Sequence, residues 1–320
     1  MHKQTYSSDD LNMPVTDSCV ITQGLLNNCA KERFMPYAAS NGIDIYYEVH
    51  GKGDPLIFCH EFAGDIRSWD LQVNYFSRNF KVITYCSRGY PPTSVPEDPE
   101  SYSQDIAVDD LKSLMDFLKI EKAHIVGLSM GGNVALNFGI KYPAQAMTLT
   151  IAGTGTGSDD PVSFRERILK FSEGMRSEGM SFMSDYLKGP HRVQLELKDP
   201  KGYELFCHQF MEHSNIGSAN TFYGVLTKRP PIFDLQPQLA DIKIPVLVMT
   251  GDEDDPCIQP SLFIKESIPG AGLIMFPRSG HAINLEEPQL FNTSVFEFIN
   301  NSSADYWGPR EQGEAGGSLT

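Results

Sequence analysis

HIVGLSMGGNVAL, residues 124–136, passes from an apolar run into a helix-like segment through one hydroxyl, Ser129. Ser129 lies in Gly127-Leu128-Ser129-Met130-Gly131-Gly132. A serine projecting above a sheet takes a strained backbone at a sharp turn, and flanking glycines give clearance that side chains would remove. The helix that follows aims its first N–H groups and positive partial charge at that turn, where an oxyanion would form. Small residues crowd any tight turn, so Gly-x-Ser-x-Gly alone marks only a serine at such a place. AHIVGL before it and NVALNFGI after it supply the strand and helix that the chemistry requires.

Strand and helix signals alternate on both sides of this stretch. IDIYYEV (43–49), PLIFCH (55–60), KVITYC (81–86), AMTLTIA (146–152), IPVLVMT (244–250) and GLIMF (272–276) read as strands. Helical spacing is expected over residues 67–77, 102–120, 130–141, 260–268 and 283–298. Apolar runs with helices between them predict an α/β protein with a mostly parallel sheet covered on both faces. The rhythm breaks at GTGTGSDDP (153–161), and the residues up to 232 read as helical with no strand. The predicted organisation is a core over 37–158 and 233–301, with a helical cap over 159–232. A flexible extension is expected over 1–36 and a flexible tail over 302–320, both without regular periodicity.

The chain has 320 residues, 41% of them hydrophobic, enough for one large α/β domain with an insertion. Its net charge of −15 argues against nucleic acid or an anionic membrane as partner, because like charges repel. No apolar stretch approaches the roughly 18–20 residues of a membrane span. Six scattered cysteines, without a C-x-x-C pair or zinc-like histidine spacing, fit reduced thiols and a cytoplasmic location. Oligomeric state is not legible, and a homodimer stays open.

An unperturbed serine is a weak nucleophile and needs a base. His281, in FPRSGHAINLEEP, follows a strand on a Gly-flanked loop before a helix. His124 opens a strand away from the functional end, and His191, His208 and His213 fall in the insertion. An acid must orient the imidazole. TGDEDDP (250–256) offers Asp252, Glu253, Asp254 and Asp255 after a strand. The order serine, acid, histidine suits this constellation.

From about Ala38 to Phe298 the chain resembles the α/β-hydrolase superfamily, in its Ser-nucleophile esterase, lactonase and haloperoxidase-like branch with a helical cap. CHEFAGD, GLSMGG, GDEDDP and SGHAINLEEP carry the resemblance, in that order. It implies catalytic roles for Ser129, Asp254 and His281, with Asp255 as runner-up for the acid. It implies no metal or cofactor. The elbow supplies the Met130 N–H as one oxyanion donor, and the resemblance assigns the other to Phe62. His60 is expected to brace that loop. Where the family usually has His-Gly, this chain has His60-Glu61. A carboxylate about 4 Å from a forming oxyanion costs about 4 kcal/mol at an effective dielectric of ~20. Glu61 should therefore turn away or be neutralised, with Arg67 and Arg88 as candidate partners, unless it positions water or substrate.

The insertion is rich in aromatic residues, among them Phe171, Phe182, Tyr186, Phe206, Phe210 and Phe222. Phe182, Tyr186 and Phe210 are candidate substrate contacts together with Glu61. The expected substrate is a medium-sized, largely apolar ester or lactone, favoured over a charged one. Alternatives are carbon–carbon bond hydrolysis of a dienone-type metabolite, perhydrolysis, and a slow ligand-sensing receptor on the same fold.

Overall fold

The computed structural model describes residues 37–304 and 306–309. Its strands are β1 (Tyr37–Ser40), β2 (Ile43–His50), β3 (Pro55–Cys59), β4 (Lys81–Tyr85), β5 (Ala123–Leu128), β6 (Ala146–Ala152), β7 (Val246–Gly251) and β8 (Gly272–Phe276). They form one sheet in the order β1-β2-β4-β3-β5-β6-β7-β8. β1 and β2 run antiparallel to their neighbours, and β3 to β8 are parallel. Every residue of β5 and β7 is buried, as expected for strands sandwiched between helical layers. β1 carries no strand signal in the sequence, because four residues with two facing in are too short for a periodic one.

Helices of six or more residues are α1 (Asp70–Phe76), α2 (Gln104–Phe117), α3 (Met130–Lys141), α4 (Pro161–Glu178), α5 (Val193–Lys198), α6 (Pro200–Met211), α7 (Asn215–Thr221), α8 (Asp255–Ser267) and α9 (Pro288–Ser303). Leu111 and Leu114 of α2, Val134 and Phe138 of α3 and Ile264 of α8 cover one face of the sheet. Phe76 of α1 and Phe291, Val295 and Phe298 of α9 cover the other.

Local chemistry sets several boundaries. Ser103 caps α2 by accepting from the Ile106 N–H, and Asp160 caps α4 from the Ser163 N–H with Pro161 in the first turn. The helix expected from Pro260 starts earlier, at Asp255, with Pro256 in its first turn and Pro260 inside it. The segment expected as one helix over 283–298 is two, Ile283–Glu286 and α9, because Pro288 opens a new helix after a non-helical Glu287.

α4 to α7 lie between β6 and β7 in sequence, in the stretch expected as the cap. Phe164, Ile168, Phe210 and Phe222 from it share one buried cluster with Phe62, Tyr90 and Met130 from the core loops. The expected extension, 1–36, lies outside the described residues. The tail expected from 302 starts too early: Ser302 and Ser303 continue α9, and Trp307 packs on Phe298 with ring centroids 4.6 Å apart. The ring also fills the space over Gly272, where an added Cβ would lie 2.4 Å from the indole. Among the described residues no helix is long and apolar enough to cross a membrane.

The turn from β5 into α3 is the tightest point of this frame. A Cβ on Gly127 would lie 2.1 Å from the Gly131 carbonyl oxygen, and one on Gly131 would lie 2.0 Å from that of Cys59. These clashes are with backbone, which cannot rotate aside as a side chain does. Gly127→Ala is expected to lower stability by about 1–3 kcal/mol in urea unfolding. An unchanged midpoint would show that the turn opens freely.

Candidate active site

Ser129 occupies that turn with φ +56° and ψ −109°, a left-handed conformation in a residue carrying a side chain. Its N–H donates to the Ala152 carbonyl at 2.8 Å, and its own carbonyl accepts from the Asn133 N–H at 3.0 Å. Asn133 Nδ2 donates to the same oxygen at 3.1 Å. The backbone is therefore pinned from both sides. Met130 is the first residue of α3, where N–H groups have no carbonyl within the helix to bind.

His281 and Asp254 come together from two loops. His281 Nδ1 lies 2.7 Å from Asp254 Oδ2, and both residues are buried. Burial opposes ionisation of Asp254, but the imidazole's charge and hydrogen bond outweigh it and hold the carboxyl below its ordinary pKa. Burial likewise opposes protonation of His281, and Asp254 followed by Glu61 outweighs it, so the imidazole titrates above its ordinary 6.5. Of the other acids in the turn, Asp255 is exposed at the start of α8, and Asp252 accepts from the Ser279 N–H at 3.1 Å. The acid that the resemblance singled out is the one facing His281. A Cβ on Gly153, just past β6, would lie 3.4 Å from both Asp254 Oδ2 and His281 Cε1. That close approach places the pair beside the strand next to β5.

Supports that sequence reading missed surround this pair. The Cys257 thiol hydrogen-bonds to Asp254. It also lies 3.0 Å from Thr156 Oγ1, and burial pushes its pKa well up, so it stays protonated. Glu286 accepts from the Gly280 N–H at 2.6 Å and the Ala282 N–H at 3.0 Å, clamping the backbone on both sides of His281. Asp254, Cys257 and His281 bring their donor atoms within 4.8 Å of one another. Their polar atoms are engaged with each other, and the thiol remains protonated.

The loop after β3 is braced as expected. His60 Nδ1 lies 2.7 Å from the Glu61 carbonyl, and the Ser87 N–H donates to His60 Nε2 at 3.0 Å. This pattern requires a neutral ring, which agrees with burial lowering its pKa to about 4. The Tyr90 hydroxyl donates to the Phe62 carbonyl at 3.0 Å.

Glu61 is buried and neutralised, but not by the arginines that sequence reading offered. Arg67 pairs with Asp65 and Glu212, and Arg88 with Asp110. The partner is Arg192, which comes from the cap and makes a two-pronged contact through both terminal nitrogens. Burial raises the Glu61 carboxyl, but the guanidinium outweighs this and keeps it ionised. Glu61 Oε2 also lies 3.9 Å from His281 Nε2, the ring nitrogen that Asp254 leaves free.

The cap segment that carries Arg192 fastens the other loops too. The His281 N–H donates to the His191 carbonyl at 2.9 Å, Gln194 Nε2 to Glu253 at 2.7 Å, and Lys198 Nζ to Ser279 at 3.1 Å. Nothing local in the sequence pairs residues 61 and 192. Only the fold of the insertion does.

Ser129, Asp254 and His281 line one cavity of about 320 Å³ together with Phe62 and Met130. Tyr186 reaches it, as do Phe164, Phe171 and Phe222. Phe182 and Phe210 do not. Phe182 is half-exposed against Phe171 and Gly174, while Phe210 is buried behind Phe62 and Tyr186. Glu61 is turned from the lining into its ion pair. Arg167 and Arg229 also line the cavity, which the aromatic composition of the insertion did not suggest.

Residues 54–288 match the family defined by the alpha/beta hydrolase fold. The chain is 27% identical over 266 residues to 3-oxoadipate enol-lactonase 2 of Acinetobacter baylyi, covering 82% of this chain and 95% of that protein. A solved hydrolase from Pseudomonas aeruginosa PA01 superposes with TM-score 0.74 at 26% identity, over 84% of this chain and 99% of that one. The enol-lactonase of Burkholderia xenovorans LB400 shares the fold, with TM-score 0.73 at 24% identity over 83% and 100%. With a matching family spanning most of its length, the chain belongs to the α/β-hydrolase fold family and is a hydrolase.

Proposed function

We propose that the protein cleaves an ester or lactone of a medium-sized, largely apolar molecule through an acyl-enzyme on Ser129. The supporting observation is that Ser129, strained at the β5–α3 turn, shares one cavity with a buried His281–Asp254 pair. In this reading His281 Nε2 takes the Ser129 proton as Oγ bonds to the acyl carbon, and Asp254 stabilises the imidazolium. The N–H groups of Phe62 and Met130 hold the oxyanion. Collapse expels the alcohol, which leaves with the proton from His281. Water then repeats the sequence and frees the acid. The aromatic wall supports an apolar substrate body. The enol-lactonase relative supports a lactone among the substrates. No step needs a cofactor, nucleic acid or membrane partner. The free thiols of Cys59, Cys86, Cys207 and Cys257 support a reducing, cytoplasmic setting.

A panel of p-nitrophenyl esters, lactones and a dienone tests this reading. Ser129→Ala is expected to lower kcat/KM by about 10⁴-fold or more on whichever class is turned over. Equal activity in that variant sinks the mechanism, and a single-equivalent burst followed by negligible turnover points to a receptor.

The pH profile is a separate test. His281 must be neutral to accept the proton, so activity falls on acidification through its pKa, above 6.5. The charged groups acting on it are Asp254 and Glu61, which raise that pKa, and Arg192, which lowers it. Glu61→Gln removes a raising charge and leaves the lowering one. The acidic limb of kcat/KM should therefore move to lower pH in variant protein that still melts cooperatively. A limb that stays in place rules out any influence of Glu61 on the base.

A further inference from the structure

Arg229 follows the distorted helical turn Phe222–Leu226 and precedes Pro230-Pro231, at the end of the cap. It lines the same cavity as Ser129 and His281. One terminal nitrogen donates to the Thr156 carbonyl at 3.0 Å, and the guanidinium lies 5.9 Å from the Phe164 ring centroid. Among the described residues, no carboxylate comes within ion-pair reach of it. Cys257 is the titratable group acting on it, and its thiol stays protonated and gives no countercharge. Burial lowers its pKa to about 10, which leaves the group cationic at neutral pH.

The contrast with two other arginines that reach into the structure is informative. Arg88 and Arg192 each hold an acid, Asp110 and Glu61. Acidic residues outnumber basic ones 41 to 26 in this chain, yet none is placed at Arg229. A half-buried guanidinium with most of its donors free, lining a cavity, offers charge-assisted hydrogen bonds to an incoming anion. Asp254, the one carboxylate lining the cavity among the described residues, is already engaged with His281. Arg167 adds a second cation at the exposed side, 5.8 Å from the Phe164 ring centroid, where Asp160 also acts on it.

We propose that the substrate carries a carboxylate that seats on Arg229 while its ester or lactone carbonyl is presented to Ser129. This rests on the serine-hydrolase reading and refines its substrate from apolar to apolar with one acid group. A planar guanidinium matches a carboxylate with two parallel hydrogen bonds. The aromatic wall takes the carbon chain between carboxylate and carbonyl. A phosphate dianion asks for more donors than one arginine and a carbonyl-bound nitrogen leave.

The test compares mono-p-nitrophenyl glutarate, and the butyryl ester of 4-hydroxybenzoate, with p-nitrophenyl valerate. Wild type is expected to favour at least one anionic ester in kcat/KM, and the preference should shrink as salt is raised. Arg229→Met should lower the ratio of anionic to neutral kcat/KM by about 10- to 100-fold, the scale of a charge-assisted hydrogen bond. Arg229→Lys, which keeps the charge, should recover part of it. A preference for the neutral ester in wild type, or an equal loss on both kinds in Arg229→Met, overturns the proposal while the hydrolase reading stands. Calorimetric titration of glutarate into Ser129→Ala decides the matter apart from turnover. Binding that vanishes on adding Arg229→Met supports the proposal even if no ester is hydrolysed. Absent binding, or tighter binding of inorganic phosphate, overturns it.

Discussion

The backbone of α3 meets the end of β3 so closely that a single methyl on Gly131 would overlap the Cys59 carbonyl. The rest of the site is built out from that approach. It lets α3 start directly beneath the loop carrying Phe62, so the helix's free N–H groups face the same space as the Phe62 loop. It also forces Ser129 into a left-handed conformation, which hydrogen bonds to Ala152 and Asn133 sustain. Strain of this kind costs about 1–3 kcal/mol and persists only where surrounding structure over-determines it. Here two strands, a helix and a fully buried β5 do so.

A second constraint is electrostatic. The loop after β3 carries a carboxylate, Glu61, whose Oε2 lies 3.9 Å from His281 Nε2. The chain accommodates Glu61 by drawing Arg192 across from the cap into a buried pair. Burying two charges together contributes little net stability, whereas losing one partner typically costs about 3–5 kcal/mol. The pair thus acts less as glue than as a condition on geometry: the cap must sit where Arg192 reaches Glu61. In that position its neighbours His191, Gln194 and Lys198 reach the histidine and acid loops. The cap is fixed to the machinery beneath it, and the cavity's shape is correspondingly defined.

Much of this was legible in the sequence because the determinants are local. Six strands read as apolar runs and one, at 43–49, by alternation, and the Ser129 turn, the His281 loop and the acid cluster each follow a strand in sequence. Choosing Asp254 over Asp255 needed the family resemblance, since adjacent acids in one turn carry no local signal. The misses are non-local. Arg192 is 131 residues from Glu61 in sequence, and Cys257 matters only through its contact with Asp254. The cap misled in a different way. Aromatic residues at helical spacing do not reveal which face turns inward, so the pattern fits Phe182 and Phe210, which stay outside the cavity, as well as Phe164, which lines it, and gives no sign of Arg229. Pro260 inside α8 shows a further limit: a proline marks a helix's first turn by preference, not by necessity.

The charge distribution ties these features together. A net charge of −15 repels anions at long range, but beyond about 8 Å such a field is largely screened at physiological ionic strength. Inside a cavity walled by aromatic rings, screening is weaker and nearby groups dominate. There the fixed charges are two arginines and one carboxylate already held by a histidine. A strongly acidic surface and an anion-accepting interior are therefore compatible, because they act over different distances. Composition records the first, and only the folded arrangement of cap and core creates the second.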